Sequence, residues 1–227
     1  MDSFMLGINE LTCKSNKLIL HHGTKHEMFV PDYKFANPIN DYGSGLYTTP
    51  DIELAKEWAM SFYTKGEKGF VYSYELNMDG LRVLDLQQYG ILYWVATTLK
   101  FRTIDNVKGL VKNNLNILTR DYVLPVENFD VIVGWRMDDS YFKFTKDFLR
   151  NELSYEMLQE AIRLGELGLQ YTLKSEKAFR ALSFIEKTDV DKKYIQLFID
   201  RMNRANELYD HLKEIDGGST FLVDMLR

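Results

Sequence analysis

The hydrophobic pattern divides the chain into an irregular, strand-rich first part and a helical last part. Lys17-Leu18-Ile19-Leu20-His21-His22 is a short apolar run halted by Gly23, which predicts a strand entering a turn. Residues 24 to 42, broken by Pro31, Asn37, Pro38, Asn40 and Asp41, predict a loop longer than a mere connection. Thr49 reads as a helix N-cap with Pro50 at the first helical position. Ile52, Ala55, Ala59 and Phe62 carry one helical face to about Tyr63. After the polar turn Lys65-Gly66-Glu67-Lys68-Gly69, strands are expected at residues 70–76 and 81–85. Residues 87 to 118 predict helix, with Trp94, Val95, Leu99, Leu110 and Ile117 inward. The run Phe129-Asp130-Val131-Ile132-Val133-Gly134-Trp135 predicts a central strand.

The same reading continues to the end of the chain. Ser154 caps a helix with Leu158, Ala161 and Ile162 inward, ended by Gly165 and Gly168, and Leu169-Gln170-Tyr171-Thr172-Leu173 predicts a short strand. Ser175 caps a helix in which Ala178, Leu182 and Ile185 share a face. From Asp189 to Ile215, Val190, Tyr194, Leu197, Phe198, Met202, Ala205, Leu208 and Leu212 recur at helical spacing, closed by Gly217-Gly218. No repeat of 20 to 50 residues is visible, and strands and helices interleave without regular βαβ alternation. The expected class is therefore α+β, with residues 1–188 as the main domain and 189–227 as a C-terminal amphipathic helical extension.

Composition narrows the function classes. With 227 residues, 45% hydrophobic and 27% charged, the chain can bury a core without staples. Its 28 basic against 33 acidic residues, net −5, give no overall footprint for nucleic acid or an anionic membrane. No apolar run approaches the roughly 18–20 residues of a membrane span. The N-terminus lacks the basic and apolar regions of a secretory signal, and the single cysteine, Cys13, fits a reducing compartment. A cytoplasmic protein without membrane contact is expected.

Several chemistries fail on spacing. Gly43-Ser44-Gly45 is a fragment of a phosphate-cradling loop, but no strand precedes it and Thr48 stands where the third glycine should be. His21 and His22 are adjacent, so on a strand they face opposite sides, and no Cys/His pair has zinc spacing; no metal is expected. No serine sits in a nucleophile elbow. Three segments remain: Leu20-His21-His22-Gly23-Thr24, Gly43-Ser44-Gly45-Leu46-Tyr47-Thr48 and Leu169-Gln170-Tyr171.

In their order and spacing these segments resemble the ADP-ribosyltransferase superfamily, in the branch of diphtheria toxin and the poly(ADP-ribose) polymerases with its His-Tyr-Glu triad. The chain resembles more closely an uncharacterised bacterial domain-of-unknown-function family of that superfamily. That likeness runs through Asp41-Tyr42-Gly43-Ser44-Gly45-Leu46-Tyr47-Thr48-Thr49, Ala55-Lys56-Glu57-Trp58-Ala59, Asp130-Val131-Ile132-Val133-Gly134 and residues 170–178, over about residues 16 to 187. The resemblance implies a split β-sheet core with flanking helices and an NAD-dependent mono-ADP-ribosyltransferase of toxin-like or effector-like role, with NAD as co-substrate. It further implies a protein or nucleic-acid acceptor and a neutralising, antitoxin-like partner.

By the same resemblance His22 would bond the adenosine ribose. Gly23 would offer its N–H and C=O to the nicotinamide amide, Tyr47 would stack on the nicotinamide ring, and Thr24 and Gly45 would shape the pocket. Gln170 stands where the polymerases have Glu: it can hold a ribose hydroxyl but cannot act as a base or lend charge to an oxocarbenium ion. His22, Tyr47 and Gln170 are thus the candidate catalytic set. Asp138 and Asp139, past the strand at 130–134, are candidates for the missing carboxylate. Plainer readings stand beside these: a satisfied strand-end histidine, a core tyrosine, an exposed strand glutamine, a solvated Asp138-Asp139 turn, and Trp58, Trp94 and Trp135 as core. The alternative functions are an NAD glycohydrolase, or a non-catalytic module that binds NAD or a nucleotide and works through its C-terminal helices.

Overall fold

The computed structural model describes residues 16–35, 38–61, 68–102, 104, 108–137, 139–164, 166, 168–215, 217–218 and 220–226. Cys13, Phe62, Tyr63, the turn residues Lys65, Gly66 and Glu67, Asp138 and Gly165 lie outside the described residues, as does the side chain of Asp139.

The strands are β1 (Lys17–Thr24), β2 (Leu46–Thr48), β3 (Gly69–Asn77), β4 (Val83–Asp85), β5 (Val131–Trp135), β6 (Leu169–Leu173) and β7 (Leu182–Val190). They form two sheets in a mixed α+β arrangement. One is antiparallel in the order β1-β3-β7; the other has the order β2-β6-β5-β4, parallel between β4 and β5. The sheets meet where His21 and Thr49 exchange backbone bonds, His21 N–H to Thr49 O at 2.8 Å and Thr49 N–H to His21 O at 3.0 Å.

The helices are α1 (Ile52–Ala59), α2 (Ile91–Phe101), α3 (Gly109–Asp121), α4 (Asp139–Leu149), α5 (Tyr155–Ala161), α6 (Glu176–Arg180), α7 (Lys193–Glu214) and α8 (Leu222–Met225). Strand periodicity decides where the core sits. Leu46, Leu173 and Val131 are register partners, and they pack with Leu20, Leu76 and Val133 between the sheets. On the opposite face Ile132 packs with Trp94, Val95 and Leu99 of α2, and with residues of α4 and α5, in the larger core.

Several expected elements are corrected by tertiary pairing. The strand does not stop at Gly23: β1 continues to Thr24, with Gly23 opposite Val71 on β3. Thr49 is not the cap of α1 and Pro50 is not its first residue: the His21 pairing holds Thr49 extended, the helix begins at Ile52, and the Thr49 hydroxyl accepts from Asp51 N–H at 3.2 Å. Asp51 caps instead, accepting from the N–H groups of Glu53 at 2.8 Å and Leu54 at 3.3 Å. The single helix expected at 87–118 is two, α2 and α3. Leu110 is exposed and Ile117 half-buried, while Asn114 and Leu118 turn inward, Asn114 donating to Leu149 O. Of the three tryptophans Trp94 is fully buried; Trp135 stands edge-on to it and Trp58 lies under the Arg136 guanidinium.

The largest correction is β7. Ala178, Leu182 and Ile185 have helical spacing, yet α6 ends at Arg180 and Leu182 begins a nine-residue strand paired with β3, the register shifting at Ile185. The free edge of β3 needs partners for its N–H and C=O groups, and this demand overrides a weak helical preference. The helix expected from Asp189 accordingly starts at Lys193, and the expected boundary at 188/189 falls inside β7.

α7 is fastened to the body rather than appended to it. Tyr209 is fully buried, stacked on Phe144 at 3.9 Å, and donates to Asp147, which Lys213 also reaches. Arg201 grips Glu57 of α1 through two bonds, at 2.8 and 2.9 Å. Glu57 is 4% exposed, so that fork supplies its carboxylate with donors that water cannot. Arg201→Ala is expected to destabilise the fold by about 3 kcal/mol, the low end for removing one partner of a buried pair. Arg201→Lys should recover part of this, and urea unfolding midpoints read both effects.

Candidate functional site

The candidate residues gather where the two sheets separate. In an antiparallel ladder a residue directs both N–H and C=O to one side, and the next residue directs them to the other. His21 spends its pair on Thr49, so the pair on Gly23, two residues on, leaves β1 by the same edge, away from β3. Continued pairing would set Gly23 opposite Tyr47, but the ladder ends after one bridge. The Tyr47 carbonyl is instead taken by His22 Nδ1 at 2.8 Å. Among the described residues Gly23 therefore has no strand partner on this edge. The glycine also meets a steric demand behind the strand: a Cβ there would lie 2.0 Å from Ala55 O of α1.

The bond to Tyr47 fixes the state of His22. A carbonyl only accepts, so Nδ1 carries the proton and Nε2 is the free acceptor of a neutral ring. Burial pushes the imidazole pKa down, and the nearby His26 adds to this, which keeps the ring neutral; Phe29 stacks on it at 4.5 Å. Thr24 is buried beside it, its hydroxyl accepting from His26 N–H at 3.3 Å.

The residues before β2 form a self-pinned turn. Gly43 takes φ +76°, a left-handed conformation suited to glycine. The Tyr47 hydroxyl donates to Gly43 O at 2.7 Å and accepts from Tyr42 N–H at 2.8 Å, and burial raises its pKa. A Cβ on Gly45 would lie 2.7 Å from Leu173 O, so this glycine lets the turn close on β6. Lys174 donates to Tyr42 O with its ammonium over the Phe101 ring, and burial pulls its pKa down to about 8.

Gln170 is not an exposed strand residue; it is 2% exposed. It lies on the face of β6 that carries Thr172, the register partner of Tyr47, so Tyr47 and Gln170 share a face of their sheet. The Gln170 amide donates to Asp41 Oδ2 at 2.8 Å and to Trp135 O at 3.3 Å. Asp41 also accepts from Met137 N–H at 2.9 Å and has the Arg102 guanidinium 3.6 Å away. Burial raises its pKa, opposed first by Arg102. Tyr42 completes the cluster, donating to Trp135 O at 2.8 Å and accepting from Trp94 Nε1 at 3.0 Å. The absence of a side chain at Gly134 makes room for it, since a Cβ there would lie 2.3 Å from the Tyr42 hydroxyl.

The structure thus brings His22 to Tyr47 and Tyr47 to the turn, and it brings Gln170 to Asp41 rather than to His22. Asp41 is the residue that sequence reasoning missed. In the sequence it stands among loop breakers, and the one signal that could have found it is its place directly before the Tyr42-Gly43 pair. Among the described residues no group of three or more His, Cys, Asp or Glu side chains is placed to hold a metal, and no helix is long and apolar enough to cross a membrane.

The chain belongs to the family DUF3990, described as a protein of unknown function, whose model matches residues 18–184. The match runs from β1 into β7 and takes in every candidate site residue. Comparison with curated proteins and with solved structures gives no match.

The state of His22 carries a pH dependence. Its pKa is lowered from the ordinary 6.5 in the folded protein, as is that of His21, so their contribution to stability is complete above 6.5. It is lost as pH falls through the folded values, because the unfolded chain takes up protons that the folded rings refuse. Stability is expected to drop between about pH 7.5 and about pH 5.5, with a shallower drop in His22→Gln. Urea midpoints at the two pH values make the comparison, and equal drops would exclude His22 as a source.

Proposed function

We propose that the protein binds NAD where the sheets part and transfers its ADP-ribosyl group to a macromolecular acceptor, releasing nicotinamide. The observation that carries this reading is the Gly23 edge. A backbone N–H and C=O side by side, without a strand partner among the described residues, match the carboxamide of nicotinamide, which offers one acceptor and one donor. The neutral His22 supports it by presenting Nε2 as an acceptor for a ribose hydroxyl. The residues at this seam thus fit the two ends of the dinucleotide.

In the reaction the bond between the ribose anomeric carbon and the nicotinamide nitrogen breaks, and its electron pair leaves with nicotinamide. The ribose passes through an oxocarbenium-like state, an acceptor lone pair forms the new bond, and the acceptor's proton goes to solvent. With water as acceptor the same steps give NAD hydrolysis. Tyr47 can close the ring pocket, and Gln170 can accept a hydroxyl proton in a hydrogen bond without removing it. A toxin-like or effector-like role with a neutralising protein partner would accompany the same chemistry.

A second reading is favoured by one observation, the near-complete burial of Gln170 among partners of its own fold. In that reading NAD or a nucleotide is bound and not cleaved. Nicotinamide release from NAD by the purified protein, with and without cell lysate, separates the two. The transferase is expected to release nicotinamide, faster with lysate, and to lose about 100-fold or more in His22→Ala and Gln170→Ala variants that keep their melting temperature within a few degrees. No release, with NAD still raising the melting temperature, would support the binding module. Neither release nor a thermal shift would overturn both.

A further inference from the structure

We infer that Asp41 is the positioning residue for Gln170, so that the carboxylate expected at one position is divided between two residues: the contact atom on Gln170 and the charge on Asp41. The inference rests on the NAD-cleaving reading and names a member of that site which neither the resemblance nor the family match assigns.

The argument begins with the orientation of a carboxamide. Its two ends have similar shape and are told apart only by their partners. Around Gln170 the partners are Asp41 Oδ2 at 2.8 Å and Trp135 O at 3.3 Å, which can only accept when Asp41 is ionised, and the Tyr42 hydroxyl, whose own proton is committed to Trp135 O. Both N–H groups are directed to them, and a flipped amide would set its oxygen against two acceptors. Oε1 is therefore the end left to receive a hydroxyl, as one oxygen of a glutamate would be.

Asp41 also supplies what an amide lacks. Its charge is buried, held by the Met137 N–H and by Arg102, and it lies against the donor end of the Gln170 amide. A carboxylate drawing on N–H polarises the amide and raises the electron density on Oε1. That arrangement turns a neutral acceptor toward the needs of a cationic transition state without placing a second base there. Asp41 thereby takes the part that order along the chain would give to Asp138 or Asp139.

The test is a carboxylate swap, read by steady-state nicotinamide release from NAD and by thermal melting. Asp41→Asn keeps the shape and removes the charge. It is expected to lower kcat about 10- to 100-fold, the loss of one charge-assisted hydrogen bond, with KM for NAD changed less than about twofold. Gln170→Glu sets two carboxylates in contact and should lower the melting temperature. The double variant Asp41→Asn/Gln170→Glu moves the charge to position 170 and is expected to recover most of the kcat lost in Asp41→Asn. Wild-type release with undiminished kcat in Asp41→Asn overturns the assignment and leaves the NAD reading standing. If Asp41→Asn does not fold, the double variant decides: folded but no more active than Gln170→Ala, it overturns the assignment. Absence of release from the wild type overturns the NAD reading and this assignment together.

Discussion

The pair of backbone bonds between His21 and Thr49 sets the geometry on which the rest of the site depends. Those two bonds dock the edge of one sheet on the edge of the other, and the alternation of a β-strand then fixes the direction of each later backbone group. The next outward-facing pair on β1 belongs to Gly23, where the strands have already parted, so a polar edge is left facing the opening. The His22 ring is the wedge that holds this parting, since its Nδ1 consumes the carbonyl with which Gly23 would otherwise pair. A third layer backs the opening: α1 crosses behind Gly23 at a distance that excludes any side chain, and Arg201 of α7 fastens α1 in place.

Glycine at positions 23, 45 and 134 has one physical meaning throughout, the close approach of another chain segment. At Gly134 the approaching group is the Tyr42 hydroxyl, and this contact draws the Asp41-Tyr42 pair onto the β2-β6-β5-β4 sheet. A buried aspartate is tolerable there because each of its oxygens has a donor or cation within reach. The same cluster explains why a glutamine is stable on the buried face of β6: two acceptors wait for its two N–H groups.

Much of this architecture is legible in the residues. The strands β3 and β5 arise from largely apolar runs and β6 from the alternation Leu169-Gln170-Tyr171-Thr172-Leu173, and Ser154 and Ser175 cap α5 and α6 as their hydroxyls predict. The parts that are not legible depend on partners distant in the chain. Leu182 and Ile185 have helical spacing, and the open edge of β3, more than a hundred residues earlier, overrides it. Thr49 has the chemistry of a cap, but its backbone is already committed to His21. Asp41 has the character of a turn residue because a sequence shows its loop and conceals the amide on a strand 129 residues away.

That separation has a kinetic consequence. The ladder between β1 and β3 needs only the first 77 residues of the chain, whereas the pairing of β2 with β6 closes a loop spanning more than half the molecule. Long-range pairing of this kind is the slow step in folding and comes last during synthesis from the N-terminus. A partly synthesised chain can therefore possess the histidine strand and the glycine turn while lacking the sheet that joins them, and the seam is completed only after residue 173 has emerged and β6 has inserted between β2 and β5.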